Sequence, residues 1–153
     1  MPTISIRPIT ISDIEHAPNV VELLGEYAEE AGLPGLGGVH AQWDIYHNLE
    51  DSGALCSIGA YDDEKLIGFV NLIVGRRPHY AGTIASIESF FVSSSARKSG
   101  AGLLLLSEVE RTATDLGANG IFLNAANDSR LDKLLTAKDG YENTHKVFHK
   151  VLP

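Results

Sequence analysis

Arg97, Gly100 and Gly102 fall in the spacing Arg-x-x-Gly-x-Gly, and Glu88 lies nine residues before the arginine. Two glycines let a backbone come close to a ligand. If a helix starts at this turn, its first N–H groups have no internal partners and the helix dipole adds partial positive charge. A diphosphate is a natural occupant of such a site. The N–H groups of Lys98, Ser99, Gly100, Ala101, Gly102 and Leu103 would form the cradle, with Arg97 and Lys98 adding charge. Lys98 also reads simply as an exposed lysine, and Gly-x-Gly also occurs where a strand-to-helix turn packs closely. Neither the Gly-x-x-x-x-Gly-Lys-Ser/Thr loop nor an early Gly-x-Gly-x-x-Gly turn is present. Glu88 is the candidate proton acceptor.

These residues need a strand and a helix to position them. Thr83 to Val92 is apolar and rich in β-branched and aromatic residues, as a strand should be. Alternation would put Ser86, Glu88, Phe90 and Val92 on one face. A carboxylate beside Phe90 would be partly desolvated, which favours its protonated form. Ser86 could hold a water. The alternative for Glu88 is a structural glutamate bonded to neighbouring strands. After the turn, Leu103, Leu106, Val109, Ala113 and Leu116 recur at helical spacing, and Gly117 stands where a helix-ending glycine belongs.

The rest of the chain supplies the frame. Thr3 to Pro8 reads as a first strand, and Ser12-x-x-Glu15 as a capping box. Pro18 divides the helical pattern there into a short turn and a main helix over Asn19 to Ala31. Gly32 to Gly38 holds four glycines and a proline, so it is a loop: either a rim over a ligand or a linker. A second helix is expected from Val39 to Leu49. There Trp43 and His47 share a face, as core residues or as substrate contacts. Ala54 to Tyr61 and Lys65 to Val74 form a hairpin about Asp62-Asp63-Glu64. A fifth strand at Gly120 to Asn124, a helix at Ser129 to Lys138 and a closing strand at Val147 to Leu152 complete the order. Antiparallel hairpins together with a β-α-β crossover mean a mixed α/β sheet.

The 153 residues suffice for one domain, 1–153, with its own core. Twelve basic and twenty acidic residues give a net charge of −8, which argues against a nucleic-acid partner and mildly favours a cationic small molecule. Cys56, the one cysteine, cannot form an internal disulfide and reads as a small buried hydrophobe. No apolar run reaches membrane-spanning length and no signal-peptide pattern opens the chain, so a cytoplasmic protein that does not engage membranes is expected. His145 and His149 are four apart but fall in a strand pattern with no third ligand, so no metal site is expected.

The stretch from Ile84 to Leu103 resembles the acyl-CoA signature of the GNAT superfamily of N-acetyltransferases: a strand, a short polar bend, then Arg97-x-x-Gly100-x-Gly102. The wording Ile87-Glu88-Ser89-Phe90-Phe91-Val92 is similar to the polyamine and diamine branch. The resemblance implies a central mixed sheet, splayed where two parallel strands part and flanked by helices. The implied reaction moves acetyl from acetyl-CoA, as co-substrate, to a primary amine of a small acceptor, cationic ones included, by direct attack in a ternary complex. It further implies that Phe90, Phe91 and Val92 run along the pantetheine arm, that Asn127 contacts CoA, and that Glu88 accepts the amine proton. Homodimers are common in the family, so a homodimer is a candidate assembly. One position departs from the pattern. The family places a tyrosine acid four residues before its Gly-aromatic pair; here the pair is Gly140-Tyr141 and that position is Thr136. Tyr80 or Tyr141 could replace it, or the chain could bind acyl-CoA without turning it over.

Overall fold

The computed structural model describes residues 3–33, 35–36, 38 and 40–153. Pro34, Gly37 and Val39, named above within the glycine loop and the second helix, lie outside the described residues. Strands β1 (Ile4–Ile9), β2 (Leu55–Asp62), β3 (Lys65–Arg76), β4 (Thr83–Val92) and β5 (Ala118–Phe122) form one sheet in chain order. The first four pair antiparallel; β4 and β5 pair parallel. Strand β3 is central and buried from Leu66 to Leu72, which accounts for its nearly unbroken apolar run. The exception, Asn71, is satisfied: Ser57 Oγ donates to its Oδ1 at 2.6 Å and its Nδ2 donates to Ser89 Oγ at 2.9 Å.

Two apolar clusters cover the two faces. On one, helix α4 (Ala101–Asp115) sets Ala101, Leu105 and Val109 against Ile58, Val70, Leu72, Ile87 and Val92. On the other, helices α1 (Ile11–Glu15), α2 (Val20–Ala31) and α3 (Trp43–Asp51) gather round Phe69 and Phe91. The last helix, α5 (Arg130–Ala137), follows β5. Side chains tie this second layer together: Glu50 of α3 accepts from the Ile11 amide of α1 at 2.8 Å, and His47 Nε2 meets Glu15 Oε1 at 2.7 Å. His47 is thus a helix-to-helix contact. Gly117 ends α4 at φ +79°, a left-handed turn that glycine adopts without strain.

Several expectations give way. The capping box is Thr10 with Asp13: Asp13 N–H donates to Thr10 Oγ1 and Thr10 N–H to Asp13 Oδ2. The helix starts earlier because fully buried Ile11 and Ile14 set its inward face. Helix α3 begins at Trp43 and runs to Asp51. On α4 the core stripe is Ala101, Leu105, Leu106, Val109 and Ala113, whereas Leu103 and Leu116 are about half exposed. Strand β5 starts at Ala118, where Asn119 Oδ1 accepts the Thr83 amide at 3.1 Å across the parallel pair.

The expected closing strand from Val147 to Leu152 is not a strand. Val147 is 76% and Phe148 89% exposed. The segment approaches the fold at separate points, with His145 edge-on to Phe122 and Val151 against Gly35. Its apolar alternation pairs with neither edge strand, β1 nor β5, and alternation without a partner does not make a strand.

Candidate active site

Strand β4 carries the site, and a bulge in it decides what faces where. Asn71 pairs with Ser89 but Leu72 pairs with Ile87, so Glu88 has no partner across β3. One extra residue reverses the alternation beyond it. Ile87, Phe90 and Val92 therefore turn to the α4 cluster, and Phe91 to the α1–α3 cluster. Glu88 takes the α3 side, where Tyr46 Oη donates to its Oε1 at 2.7 Å. The expected single face of Ser86, Glu88, Phe90 and Val92 is thus broken between Glu88 and Phe90. The expected desolvation beside Phe90 is absent too, since Glu88 is exposed.

The phenols around Glu88 stay protonated. Burial, then the bond to Glu88 and its charge, push the Tyr46 hydroxyl far above the ordinary phenol range. Burial, with the Glu88 charge second, pushes Tyr27 up to about 12. Tyr46 is therefore a fixed donor that orients one carboxylate oxygen and leaves the other open, a geometry suited to accepting a proton. Tyr27, Trp43, Tyr46, Phe69 and Asn71 line a cavity of about 60 Å³ on this face. Trp43 packs on Tyr46 with ring centroids 6.1 Å apart.

At its far end β4 leaves the sheet partly open. Pairing with β5 covers only Thr83 to Ser86, so Ile87 to Val92 have β3 on one side and, among the described residues, no strand on the other. Main-chain amides along such an edge call for partners. The chain then makes a 3₁₀ turn, Ser94–Ser99, and enters α4 through Gly100 at φ +85°. No side chain caps α4 at Gly100. Ser99 Oγ accepts the Ala101 amide at 3.3 Å, and the first helical bond is Leu104 N–H to Gly100 O. The amides of Gly102 and Leu103 precede that bond and point out of the helix start. A Cβ at Gly102 would meet only Val92 Cγ2, at 4.0 Å, so packing does not demand glycine there. An open strand edge, an uncapped fifteen-residue helix and a glycine with space above it fit an extended ligand ending in a diphosphate.

Helix α2 holds the turn from behind. Glu26 accepts from Ser93 Oγ, Ser94 Oγ and the Ser94 amide. The Ser94 hydroxyl is the main cause holding the Glu26 carboxyl below its usual range. Arg97 donates Nε to Val92 O at 3.1 Å and pairs through Nη2 with Glu30. Its guanidinium also stands 5.7 Å from the Phe91 ring. Arg97 is thus a clasp on the turn, while Lys98 is exposed. Glu26 and Glu30 are separated from the turn by more than sixty residues of sequence, so no local spacing in the chain announces them.

Asn127 is exposed in the turn after β5; three residues on, Arg130 Nη2 donates to Arg97 O at 3.4 Å, which ties that turn to the 3₁₀ segment. Thr136 Oγ1 donates to Asp132 O at 2.7 Å, within its own helix. Tyr141 Oη donates to Glu110 Oε1 at 3.0 Å, nine residues and about 13 Å down α4 from Ala101. Burial first, then the bond to Glu110, raises the Tyr141 hydroxyl above the ordinary phenol range. Tyr80 packs at a tilt against His79 and lies edge-on to Phe122. Ser86 Oγ accepts at 2.6 Å from Nη2 of Arg77, which lies in the connection between β3 and β4.

Comparison with known proteins agrees with this architecture. Residues 18–134 match the model of the Acetyltransferase (GNAT) family, so the chain belongs to the GNAT family of acetyltransferases. The structure superposes on an aminoglycoside acetyltransferase, meta-AAC0020, from an uncultured soil metagenomic sample in complex with sisomicin. That match has a TM-score of 0.75 and 17% identity and covers 98% of this chain and 97% of the other. Ribosomal-protein-alanine N-acetyltransferase from Brucella melitensis biovar Abortus 2308 matches with a TM-score of 0.70 and 19% identity, over 97% of this chain and 99% of that one. AAC(6')-Iy, in complex with a CoA-linked bisubstrate analog, matches with a TM-score of 0.69 and 20% identity over 97% of each chain. A search of curated proteins gives no significant match. At these identities the solved structures speak for the fold: a mixed sheet, opened between two parallel strands and flanked by helices. GNAT acetyltransferases use acetyl-CoA.

Proposed function

We propose that residues 1–153 form one acyltransferase domain that moves acetyl from acetyl-CoA to the primary amine of a small acceptor, by direct attack in a ternary complex. The observation that carries this reading is the uncapped start of α4, set beside the open edge of β4. The thioester supplies the acyl group. The amides of Gly102 and Leu103, with Lys98 to Ala101 around them, hold the diphosphate. Main-chain groups of Phe90, Phe91 and Val92 bond the pantetheine amides, and Asn127 closes over the arm from the turn after β5. Arg97 sets the shape of the turn through Val92 O and Glu30. Glu88, oriented by Tyr46, accepts the proton of the attacking amine, as its similarity to the polyamine and diamine wording suggests.

A second reading rests on Thr136. Its hydroxyl is engaged with Asp132, and a threonine is a far weaker acid than the tyrosine of the family pattern. A chain lacking that acid could bind acyl-CoA as a regulatory module. Calorimetry with CoA, joined to free-thiol detection over a panel of amines, separates the two. Thiol release that depends on an amine supports the enzyme. Tight CoA binding with no release across the panel supports the module.

A further inference from the structure

Arg77 is held at the point where the sheet opens. Its Nη2 donates to Ser86 Oγ at 2.6 Å, and its guanidinium carbon sits 4.9 Å above the Phe122 ring. Ser86 and Phe122 face each other across the last rung of the β4–β5 ladder, just before the strands part. Their neighbours Ala85 and Ile121 also pair, and Ile121 packs on the α4 cluster, so Ser86 and Phe122 present the opposite, α3-side face. Glu88 takes this same side and lies two residues along β4, a span of about 7 Å.

Arg7, Arg97 and Arg111 each meet a carboxylate; among the described residues Arg76, Arg77 and Arg130 do not, and of these Arg77 is the one bonded to β4 where the sheet opens. A guanidinium carries five N–H donors in a fork that matches a carboxylate or a phosphate. One donor is committed to Ser86 and the guanidinium lies over the Phe122 ring, which leaves the other donors of this exposed side chain for an anion. Along one strand face the protein therefore offers a proton acceptor at Glu88 and an anion receptor at Arg77.

We infer that the acceptor is an anionic amine: a primary amine with a carboxylate or phosphate a few bonds away, its nitrogen at Glu88 and its anion on Arg77. This rests on the acetyltransferase reading and narrows its substrate class away from purely cationic polyamines. Arg77 is then a specificity-determining residue.

The test uses matched acceptors with saturating acetyl-CoA: α-amino acids against their carboxamides, and amino-sugar phosphates against the unphosphorylated amino sugars. The expected result is a kcat/KM at least about tenfold higher for the anionic member of one pair, and the pair that responds identifies the anion. Arg77→Gln should bring that ratio to about one, with Arg77→Lys between, while circular dichroism confirms that each variant folds. Equal kcat/KM within both pairs, or an Arg77→Gln variant that slows both members alike, overturns the inference. If no acceptor turns over, calorimetry in the presence of CoA replaces kinetics, and an anionic amine that binds no tighter than its neutral partner overturns it equally. CoA titrated alone reports on the reaction itself. Binding there with no preference for anionic amines sinks only the acceptor class, whereas absence of CoA binding sinks both.

Discussion

The two ends of β4 are assembled from different materials. Val92 to Leu103 lie within twelve consecutive residues, and what they offer is mostly main chain: a strand edge, a 3₁₀ turn and the first amides of α4. The other end draws on Tyr46 from α3, Arg77 from the loop after β3, Ser86 and Glu88 from β4, and Phe122 from β5. What it offers is side chains. A main-chain site accepts many sequences as long as its turn is kept, whereas a side-chain site changes with each residue. The first suits a donor that stays the same, and the second suits an acceptor that differs from one enzyme to the next.

The largest effect should come from the side-chain end. Glu88→Gln keeps the bond from Tyr46 but cannot take up a proton. We expect kcat/KM at neutral pH to fall by about two orders of magnitude or more. CoA affinity should stay within about twofold by calorimetry. Wild-type kcat/KM in this variant across pH would remove Glu88 from the mechanism, and a matching loss of CoA affinity would mean the two ends are not separable.

The next test sharpens the main-chain end by setting one glycine against another. Gly102→Val places a side chain where the protein itself offers only Val92 Cγ2 at 4.0 Å. CoA affinity should drop about tenfold or more while the melting temperature holds. Gly100→Val must adopt φ +85°, so it should lose about 1–2 kcal/mol of stability in addition to CoA affinity. If Gly102→Val binds CoA normally, the diphosphate does not sit at the start of α4.

The smallest effect concerns what holds α3, and with it Tyr46, in place. The bond to Glu15 raises the His47 pKa above its usual value near 6.5. A raised histidine contributes stability that is complete below its unfolded pKa and is lost as pH rises through the folded one. The melting temperature should therefore decline slightly from about pH 6 to pH 8. Glu15→Gln should flatten that slope; an unchanged slope in the variant would mean that another group causes it.

Much of the main-chain end was legible in the sequence. Gly100 and Gly117 mark local backbone requirements, and β4 and α4 lie close to where their patterns put them. The side-chain end was not legible. The bulge at Glu88 comes from pairing with β3, and nothing in Ile87 to Val92 signals it. The partners of Arg97 and Glu88 stand 67 and 42 residues away. Val147 to Leu152 has the alternation of a strand, but whether a strand forms depends on a neighbour, which the segment itself cannot specify.

By itself the sequence determined the mixed α/β pattern, the glycine turn into a helix and the family signature around it, because each depends on groups a few residues apart. Tertiary structure alone decided which way Glu88 faces, what restrains Arg97 and that Arg77 stands unpaired by any described carboxylate beside the opening of the sheet. Those outcomes depend on register and on side chains brought together from distant elements, and chain spacing carries no record of either.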